Sequence, residues 1–194
     1  EQAQTALFRI LAEEIKPDSG SFKWGVTIST NYFPKDNSKY FDGCNLNMMQ
    51  WFAQYSPEQL ETYMRGFLGR MLFSGDDVYK PVSVLSGGEK VKAQMMRLLM
   101  EDATVLLLDE PSNDIDLATL ELLEKLIREW EHIVVFISHD ETLIENTANM
   151  VIHIEQIVRK TKSRYTVAKL PYRTYVEERL QNFERQEQLS LIHI

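Results

Sequence analysis

Three short stretches of the sequence carry side chains that could do phosphate chemistry. Residues 86–88, Ser-Gly-Gly, open a helix-forming stretch, and backbone N–H groups in such a position can surround one anion. Asp109 and Glu110 end an apolar run, where a metal-linked carboxylate and a water-activating base belong in phosphoryl transfer. His139 ends the next apolar run and is expected at the same sheet edge. Each stretch alone is a weak indication, but their order and spacing together are a strong one.

The elements around these stretches predict an α/β fold. Apolar strands at 105–109 and 133–138 flank a helix at 117–130, a pattern that implies a parallel, right-handed crossover. The remaining predicted elements are a helix at 5–14, strands near 21–24 and 26–32, a helical region from 57 to about 73, a helix at 87–100 and a charged helix at 177–189.

The helical region from 57 to about 73 has an apolar stripe at helical spacing. Such a stripe is more typical of a small subdomain core than of a ligand site. Its members are Leu60, Met64, Phe67, Leu68, Met71 and Leu72.

Composition bounds the class of protein. The 194 residues are 44% hydrophobic and 26% charged, which is ordinary for a globular domain. The longest apolar runs are far shorter than the ~20 residues of a membrane helix, and no signal peptide opens the chain. The single cysteine, Cys44, cannot form an internal disulfide, which suits a reducing compartment. We therefore expect a cytoplasmic domain with no membrane partner.

Charge is distributed unevenly. The net charge of −8 argues against nucleic acid as a partner for the chain as a whole, yet residues 156–176 contain six basic residues and no acid. Tyr165, Tyr172 and Tyr175 are interleaved with them and could stack on bases or anchor the segment. A nucleic-acid-facing edge and the solvated face of a strand pair both remain open. The basic residues are Arg159, Lys160, Lys162, Arg164, Lys169 and Arg173.

The ordered motifs resemble those of the nucleotide-binding domain of ABC-type ATPases. LSGGE at 85–89 resembles the signature motif, VLLLDE at 105–110 the Walker B motif, SNDID at 112–116 the D-loop, and His139 the switch histidine. The resemblance covers about residues 7–188. It implies a P-loop NTPase-like α/β domain with a parallel core sheet and ATP and Mg²⁺ as cofactors.

Other stretches are similar to the ABC-F branch, whose members carry two such domains and no membrane-spanning part. These are YFPKDN at 32–37, FLGRMLFS at 67–74 and the basic tail after Ile154. The resemblance implies a nucleotide-binding domain at 1–155, incomplete at its start, with a helical subdomain at about 45–100. Residues 156–194 would then be a basic hairpin and the start of an interdomain linker helix.

The resemblance also implies roles for individual residues. Asp109 would be the Mg²⁺-linked carboxylate and Glu110, partly desolvated beside Pro111, the general base. His139 would contact the γ-phosphate and hold the attacking water. The signature loop would act on nucleotide held by the opposite domain, so its N–H groups are expected at the surface. Residues expected to contact the nucleotide are Thr5, which would also bind the metal, Lys35, Ser86, Gly87, Gly88, Glu89 and Asp116.

The first residues depart from the family pattern. Aligning residues 7–10 with the helix that follows the Walker A loop puts Ala3 at the last glycine, Gln4 at the lysine and Thr5 at the metal-binding hydroxyl. The phosphate cradle is therefore missing, through truncation or degeneration, and the isolated chain is expected to be a poor ATPase. Lys35 also stands where the Q-loop glutamine is usual.

Three further departures leave the origin of the chain open. Residues 114–115, Asp-Ile, replace the more frequent His-Leu of the ABC-F D-loop. Residues up to about 110 look like a second ABC-F domain, whereas those from 111 onward look like a first domain that runs into its linker. Residues 189–194 do not continue the preceding charged pattern. A fragment and a chimera both fit this sequence.

Three classes of function remain open. The motifs favour an ABC-F ATPase domain that acts on the ribosome, as a translation factor or in antibiotic resistance, with rRNA or tRNA contacting residues 156–176. Its second partner would be another nucleotide-binding domain of the family. The alternatives are the ATP-binding subunit of a membrane transporter and a non-hydrolysing domain that only completes a partner's nucleotide site.

Overall fold

The computed structural model describes residues 2–73, 75–113, 115–156 and 163–192. The chain divides into two compact units, Glu1–His139 and Asp140–Ile194. The first unit contains α1 (Gln2–Leu11), β1 (Thr30–Phe33), α2 (Ser38–Phe41), α3 (Met48–Ala53), α4 (Glu61–Arg70), short 3-10 helices at Gly75–Tyr79 and Val82–Val84, α5 (Gly87–Glu101), β2 (Val105–Asp109), α6 (Leu117–Glu129) and β3 (Ile133–Ile137). The second contains α7 (Glu141–Thr147), β4 (Val151–Gln156), β5 (Ser163–Ala168) and α8 (Tyr172–Ile192).

The first unit is organised around a parallel sheet with the strand order β1-β2-β3. Every residue of β2 is buried, which explains its uninterrupted apolar sequence up to Asp109. Because parallel strands end at the same edge, the residues that follow all three strands are brought together. The predicted α/β class and parallel arrangement are confirmed.

Alternate residues of β2 face opposite layers. Val105 and Leu107 pack with Phe8 of α1 and Tyr32 of β1 in one apolar cluster. On the other face, Leu106 and Leu108 share an apolar cavity with side chains of α5 and α6, among them Met95, Leu98 and Leu123. The period of two along a strand therefore puts Asp109 on the face that α1 covers.

The helical layer of the first unit has an aromatic core. Phe41 stacks on Trp51 with ring centroids 5.3 Å apart, and Phe52 stacks on Phe67 at 5.4 Å. The apolar stripe of α4 is largely core, as predicted, because Met64, Phe67, Leu68 and Met71 are buried. Leu60 and Leu72, at the two ends of the stripe, are exposed.

The second unit contains an antiparallel strand pair, of which β5 lies in the predicted basic hairpin at 156–194 and β4 mostly precedes it. β4 and β5 are antiparallel, with His153 opposite Thr166 and Ile154 opposite Tyr165. The ring of His153 contacts that of Tyr175 on α8 with centroids 6.1 Å apart, and Tyr175 is buried. Of the three interleaved tyrosines, Tyr175 is therefore an internal anchor, whereas Tyr165 is 73% exposed.

Three element predictions were wrong in whole or in part. Residues 21–24 form no strand, because they have no ladder partner among the described residues, and the strand predicted at 26–32 is reduced to β1. The final helix begins at Tyr172 rather than at 177. Pro171 explains the earlier start, since its fixed φ suits the residue before a helix and its carbonyl accepts the N–H of Tyr175 at 3.1 Å. The domain boundary predicted at 155 falls within β4 and stays a prediction.

Candidate nucleotide and metal site

The two adjacent carboxylates at the end of β2 are both buried. Asp109 is 0% exposed and Glu110 3% exposed. Glu110 has a φ of +51°, in the left-handed region that costs a residue with a side chain about 1–2 kcal/mol. Its N–H donates to the carbonyl of Ile137 at 2.9 Å, which ties the turn after β2 to the end of β3. The strained turn aims two consecutive acids in different directions.

Asp109 has unequal carboxylate oxygens. Oδ2 accepts a hydrogen bond from the hydroxyl of Tyr32 at 3.2 Å, whereas Oδ1 is buried without a donor among the described residues. The pKa of the Tyr32 hydroxyl is raised far above its ordinary value. The main cause is burial, and the second is the negative charge of Asp109. Tyr32 therefore stays protonated and remains a donor at physiological pH.

Glu110 and His139 meet, as the sequence predicted for the two strand ends. The backbone N–H of His139 donates to Glu110 Oε2 at 3.3 Å, and its Nε2 lies 3.2 Å from Oε1. The second contact is a hydrogen bond only when Nε2 carries a proton; otherwise Oε1 is a buried oxygen without a donor. The Glu110 side chain is 1% exposed and that of His139 is 74% exposed, so the imidazole covers the carboxylate on the solvent side.

A serine pair supports this contact. Ser112 and Ser138 are joined through their hydroxyl oxygens at 2.9 Å. Ser112 lies two residues after Glu110, and Ser138 immediately precedes His139. The pair therefore closes the two loops that follow β2 and β3 against each other.

The signature loop begins α5 with a capping box. The Ser86 hydroxyl accepts the Glu89 N–H at 3.3 Å, and Glu89 Oε2 accepts the Ser86 N–H at 2.8 Å. The carboxylate of Glu89 thus holds the loop, a contact that the sequence analysis did not anticipate. Ser86 and Gly87 are exposed and Gly88 is half-buried. In the first helical turn, Gly87 and Gly88 have no intrahelical acceptor for their N–H groups, which suits an external anion.

The D-loop leads into α6, and Asp116 caps that helix. Its carboxylate accepts the Thr119 N–H at 2.7 Å, and this hydrogen bond lowers the pKa of Asp116. A Cβ added at Gly88 would lie 3.9 Å from Thr119 Oγ1, so the starts of α5 and α6 are adjacent. Asp114 lies outside the described residues.

Two other predicted site residues, Thr5 and Lys35, are distant in sequence from Asp109 and Glu110. Thr5 is half-buried in the first turn and a half of α1, on the layer that covers the face bearing Asp109. Lys35 is exposed, two residues after β1. The nucleotide roles of Thr5 and Lys35 stay predictions.

The carboxylates fit a magnesium-linked site. A buried carboxylate oxygen without a donor is costly, and a cation or its water ligand would satisfy Asp109 Oδ1. Thr5 is the hydroxyl that the alignment offers as a second ligand. The groups that would surround the phosphates are less evident. Ala3 and Gln4, which align with the last glycine and the lysine of Walker A, lie within α1 and have no positive charge.

Comparison with known proteins defines the class. Residues 4–113, more than half of the chain, match the family model described as ABC transporter. The chain therefore belongs to this family, and it is an ATP-binding ABC domain. Within the described residues, no helix combines the length and apolar character needed to cross a bilayer.

Two relatives illustrate the similarity. The chain is 48% identical over 155 residues to the uncharacterized ABC transporter ATP-binding protein YkpA of Bacillus subtilis (strain 168), covering 79% of this chain and 29% of that protein. It is 30% identical over 146 residues to the ATP-binding protein Uup of Escherichia coli (strain K12), covering 74% and 23%. The chain thus spans less than a third of the length of these relatives.

Solved structures agree on the fold. The archaeal ribosome recycling factor aABCE1, in its complex with the archaeal ribosomal stalk protein aP1, gives a TM-score of 0.71 at 21% identity. The match covers 92% of this chain and 34% of that chain. An RNase-L inhibitor gives a TM-score of 0.69 at 21% identity over the same shares. At this identity the likeness shows the fold alone.

Tyr32 was not predicted from the sequence as a neighbour of Asp109. The two residues are 77 positions apart, and no local motif connects them. The available indication was topological: Tyr32 is a polar aromatic near the carboxyl end of a strand, and parallel neighbours end at a common edge. The serine pair Ser112–Ser138 was missed for the same reason.

Proposed function

We propose that this chain is the ATP-hydrolysing domain of an ABC-F protein that acts on the ribosome. The observation that carries the catalytic part is the buried pair Asp109 and Glu110, with His139 held against Glu110 by two contacts. A buried base beside an exposed histidine at a parallel sheet edge suits water-mediated cleavage of a phosphoanhydride.

Each residue of this group has a distinct role in the proposal. Glu110 accepts the proton of the attacking water, because the Ile137 carbonyl holds its backbone N–H and the His139 N–H donates to its carboxylate. His139 covers the carboxylate from the solvent side and holds the water against the terminal phosphate. Asp109 and Thr5 would hold Mg²⁺, which when bound neutralises charge on the phosphate oxygens.

The signature loop is assigned to a partner's nucleotide. Ser86 and Gly87 are exposed, and the capping box fixes the first turn of α5 so that the N–H groups of Gly87 and Gly88 point away from the helix. A rigid, surface-placed anion site is of most use against phosphate that a second nucleotide-binding domain presents. Asp116, Glu89 and Lys35 are proposed as further contacts with nucleotide.

The ribosome is favoured by charge and by relatives. Arg164, Lys169 and Arg173 are exposed in the second unit, and Tyr165 stands between them. The other three basic residues, Arg159, Lys160 and Lys162, lie outside the described residues. Relatives named Uup, at 30–34% identity, support the ABC-F branch, and aABCE1, whose structure has a similar fold, is described as a ribosome recycling factor. A role in antibiotic resistance stays a prediction of the sequence.

The proposal is tested with Glu110→Gln in the complete gene product. The amide keeps the shape of the side chain but cannot take a proton, so hydrolysis should fall by about 10²- to 10⁴-fold while ATP remains bound. The ATP-bound variant should pellet with ribosomes through a sucrose cushion more than wild type does. Phosphate release, retained labelled ATP and the ribosome pellet are the three measurements.

Glu121→Gln is the matched control, because it makes the same chemical change on an exposed position of α6. Wild-type hydrolysis in Glu110→Gln would show that another group is the base. ATP retention without ribosome pelleting, together with binding to a membrane permease, would favour the transporter subunit. ATP binding with no hydrolysis in wild type would favour a domain that only completes a partner's site.

A further inference from the structure

Tyr32 is held in one position by contacts at both of its ends. Its side chain is 8% exposed within the cluster of Phe8, Val105 and Leu107, and its hydroxyl reaches Asp109 Oδ2 at 3.2 Å. In the sheet, Tyr32 is in register with Leu107, two residues before Asp109. The distance to the carboxylate is thus set by strand pairing.

The backbone of Tyr32 is fixed by Arg97 of α5. Arg97 Nη2 donates to the Tyr32 carbonyl at 3.1 Å, and Arg97 is itself 7% exposed. Its guanidinium donates to Gln94 Oε1 at 2.8 Å and to Glu101 Oε2 at 3.0 Å. It also stacks on the ring of Tyr40, with Cζ 4.7 Å from the ring centroid. A buried guanidinium with this many partners is a rigid support.

The hydroxyl of Tyr32 decides the orientation of the Asp109 carboxylate. With Oδ2 engaged, rotation about the Cβ–Cγ bond is restricted and Oδ1 is the oxygen left without a donor. Without the hydroxyl, both oxygens would be buried and unpartnered and the carboxylate would be free to turn. Groups that hold a metal ligand in this way typically change metal affinity 10- to 100-fold when they are removed.

We propose that Tyr32 is a positioning residue that holds Asp109 so that Oδ1 is presented to the divalent cation of the Mg·ATP complex. This inference rests on the proposed function, in which Asp109 is the metal-linked carboxylate. Tyr32 makes no contact with nucleotide or water in this scheme and acts only through Asp109.

The test is binding of Mn²⁺, followed by electron paramagnetic resonance, to the complete gene product loaded with a non-hydrolysable ATP analogue. Tyr32→Phe should weaken Mn²⁺ binding about tenfold or more. Affinity for the analogue without metal should be unchanged, a separation that simple loss of structure would not produce. Tyr32→Met, which also lacks the hydroxyl, should give the same result and serves if the phenylalanine variant does not fold.

Tyr55→Phe is the control, because it removes a half-buried phenolic hydroxyl elsewhere in the same unit. Asp109→Asn is the reference for loss of the metal ligand. Weak Mn²⁺ binding in Asp109→Asn together with wild-type binding in a folded Tyr32 variant overturns the inference alone. Wild-type Mn²⁺ binding in Asp109→Asn overturns the proposed function instead, since Asp109 would then not be the metal-linked carboxylate.

Discussion

At the scale of single residues, the acids of this chain differ in what compensates their charge. Asp109 and Glu110 are buried and receive few donors, whereas Glu14 lies near the surface with two cations. Lys39 Nζ is 2.7 Å and Arg9 Nε 3.3 Å from the Glu14 carboxylate, which joins the end of α1 to α2. Well-compensated acids contribute to folding, and poorly compensated ones are available to a ligand or a proton.

Glu14 makes stability depend on pH. Its hydrogen bond with Lys39 lowers its pKa below the ordinary 4.5, so its stabilisation is complete above pH 4.5 and is lost as pH falls through the lowered value. At pH 7, Glu14→Gln should reduce the free energy of unfolding by about 0.5 kcal/mol. Urea unfolding at pH 7 and pH 3 should show this difference vanish at the lower pH.

The neighbouring Glu13→Gln controls for removal of one negative charge from the same segment. An equal loss in Glu14→Gln at both pH values would mean that packing rather than ionisation carries the effect.

At the scale of elements, α3 and α5 have side chains that satisfy backbone groups at their first turns. The N-terminus of α5 has a complete capping box, and α3 has a second one between Asn47 and Gln50. The C-terminus of α5 is different, because Asp102 adopts φ +44° and ψ 50° there. This left-handed position usually holds glycine, so α5 carries strain at the end that leads into β2.

Asp102→Gly should therefore stabilise the protein. Glycine removes the left-handed strain but has a larger entropy in the unfolded chain, which offsets part of the gain. The net effect should raise the free energy of unfolding by about 0.5–1 kcal/mol. Asp102→Val should lower it, because a β-branched residue is poorly tolerated at positive φ. Urea midpoints measure both, and a less stable glycine variant would show that the Asp102 side chain makes a net favourable contribution.

At the scale of the whole molecule, the proposed site has buried carboxylates and an exposed helix start, but the aligned Walker A positions carry no lysine that would bind a nucleotide. Residues 3–5, Ala-Gln-Thr, are helical within α1 and present no lysine where the alignment puts one. The proposed site therefore has the carboxylates expected to act on phosphate, Asp109 and Glu110, but lacks at residues 3–5 the lysine expected to bind it.

The 194-residue chain alone should bind Mg·ATP weakly. Loss of one charge-assisted contact at Gln4 removes roughly 1.5–3 kcal/mol, or about one to two decades of affinity, before any loss of a backbone cradle is added. Titration calorimetry should find a Kd well above the micromolar range. Micromolar binding would contradict this, and its loss in Lys35→Ala would then identify Lys35 as the replacement cation.

The sequence by itself determined the elements whose patterns are local. The four apolar residues 105–108 predicted the buried strand that ends at Asp109. The helix predicted at 87–100 is α5, although the capping box between Ser86 and Glu89 at its start was recognised only in the structure. The meeting of Glu110 with His139 was also predictable, since both follow apolar strands that a helical crossover makes parallel.

Only the tertiary structure decided the contacts between distant residues. The hydrogen bond from Tyr32 to Asp109 spans 77 positions, and the one from Arg97 to the Tyr32 carbonyl spans 65. Their geometry depends on strand register and on which helix covers which face. Residues 21–24 likewise lost their predicted strand because a strand requires a partner, and the availability of a partner is a property of the folded chain rather than of the segment.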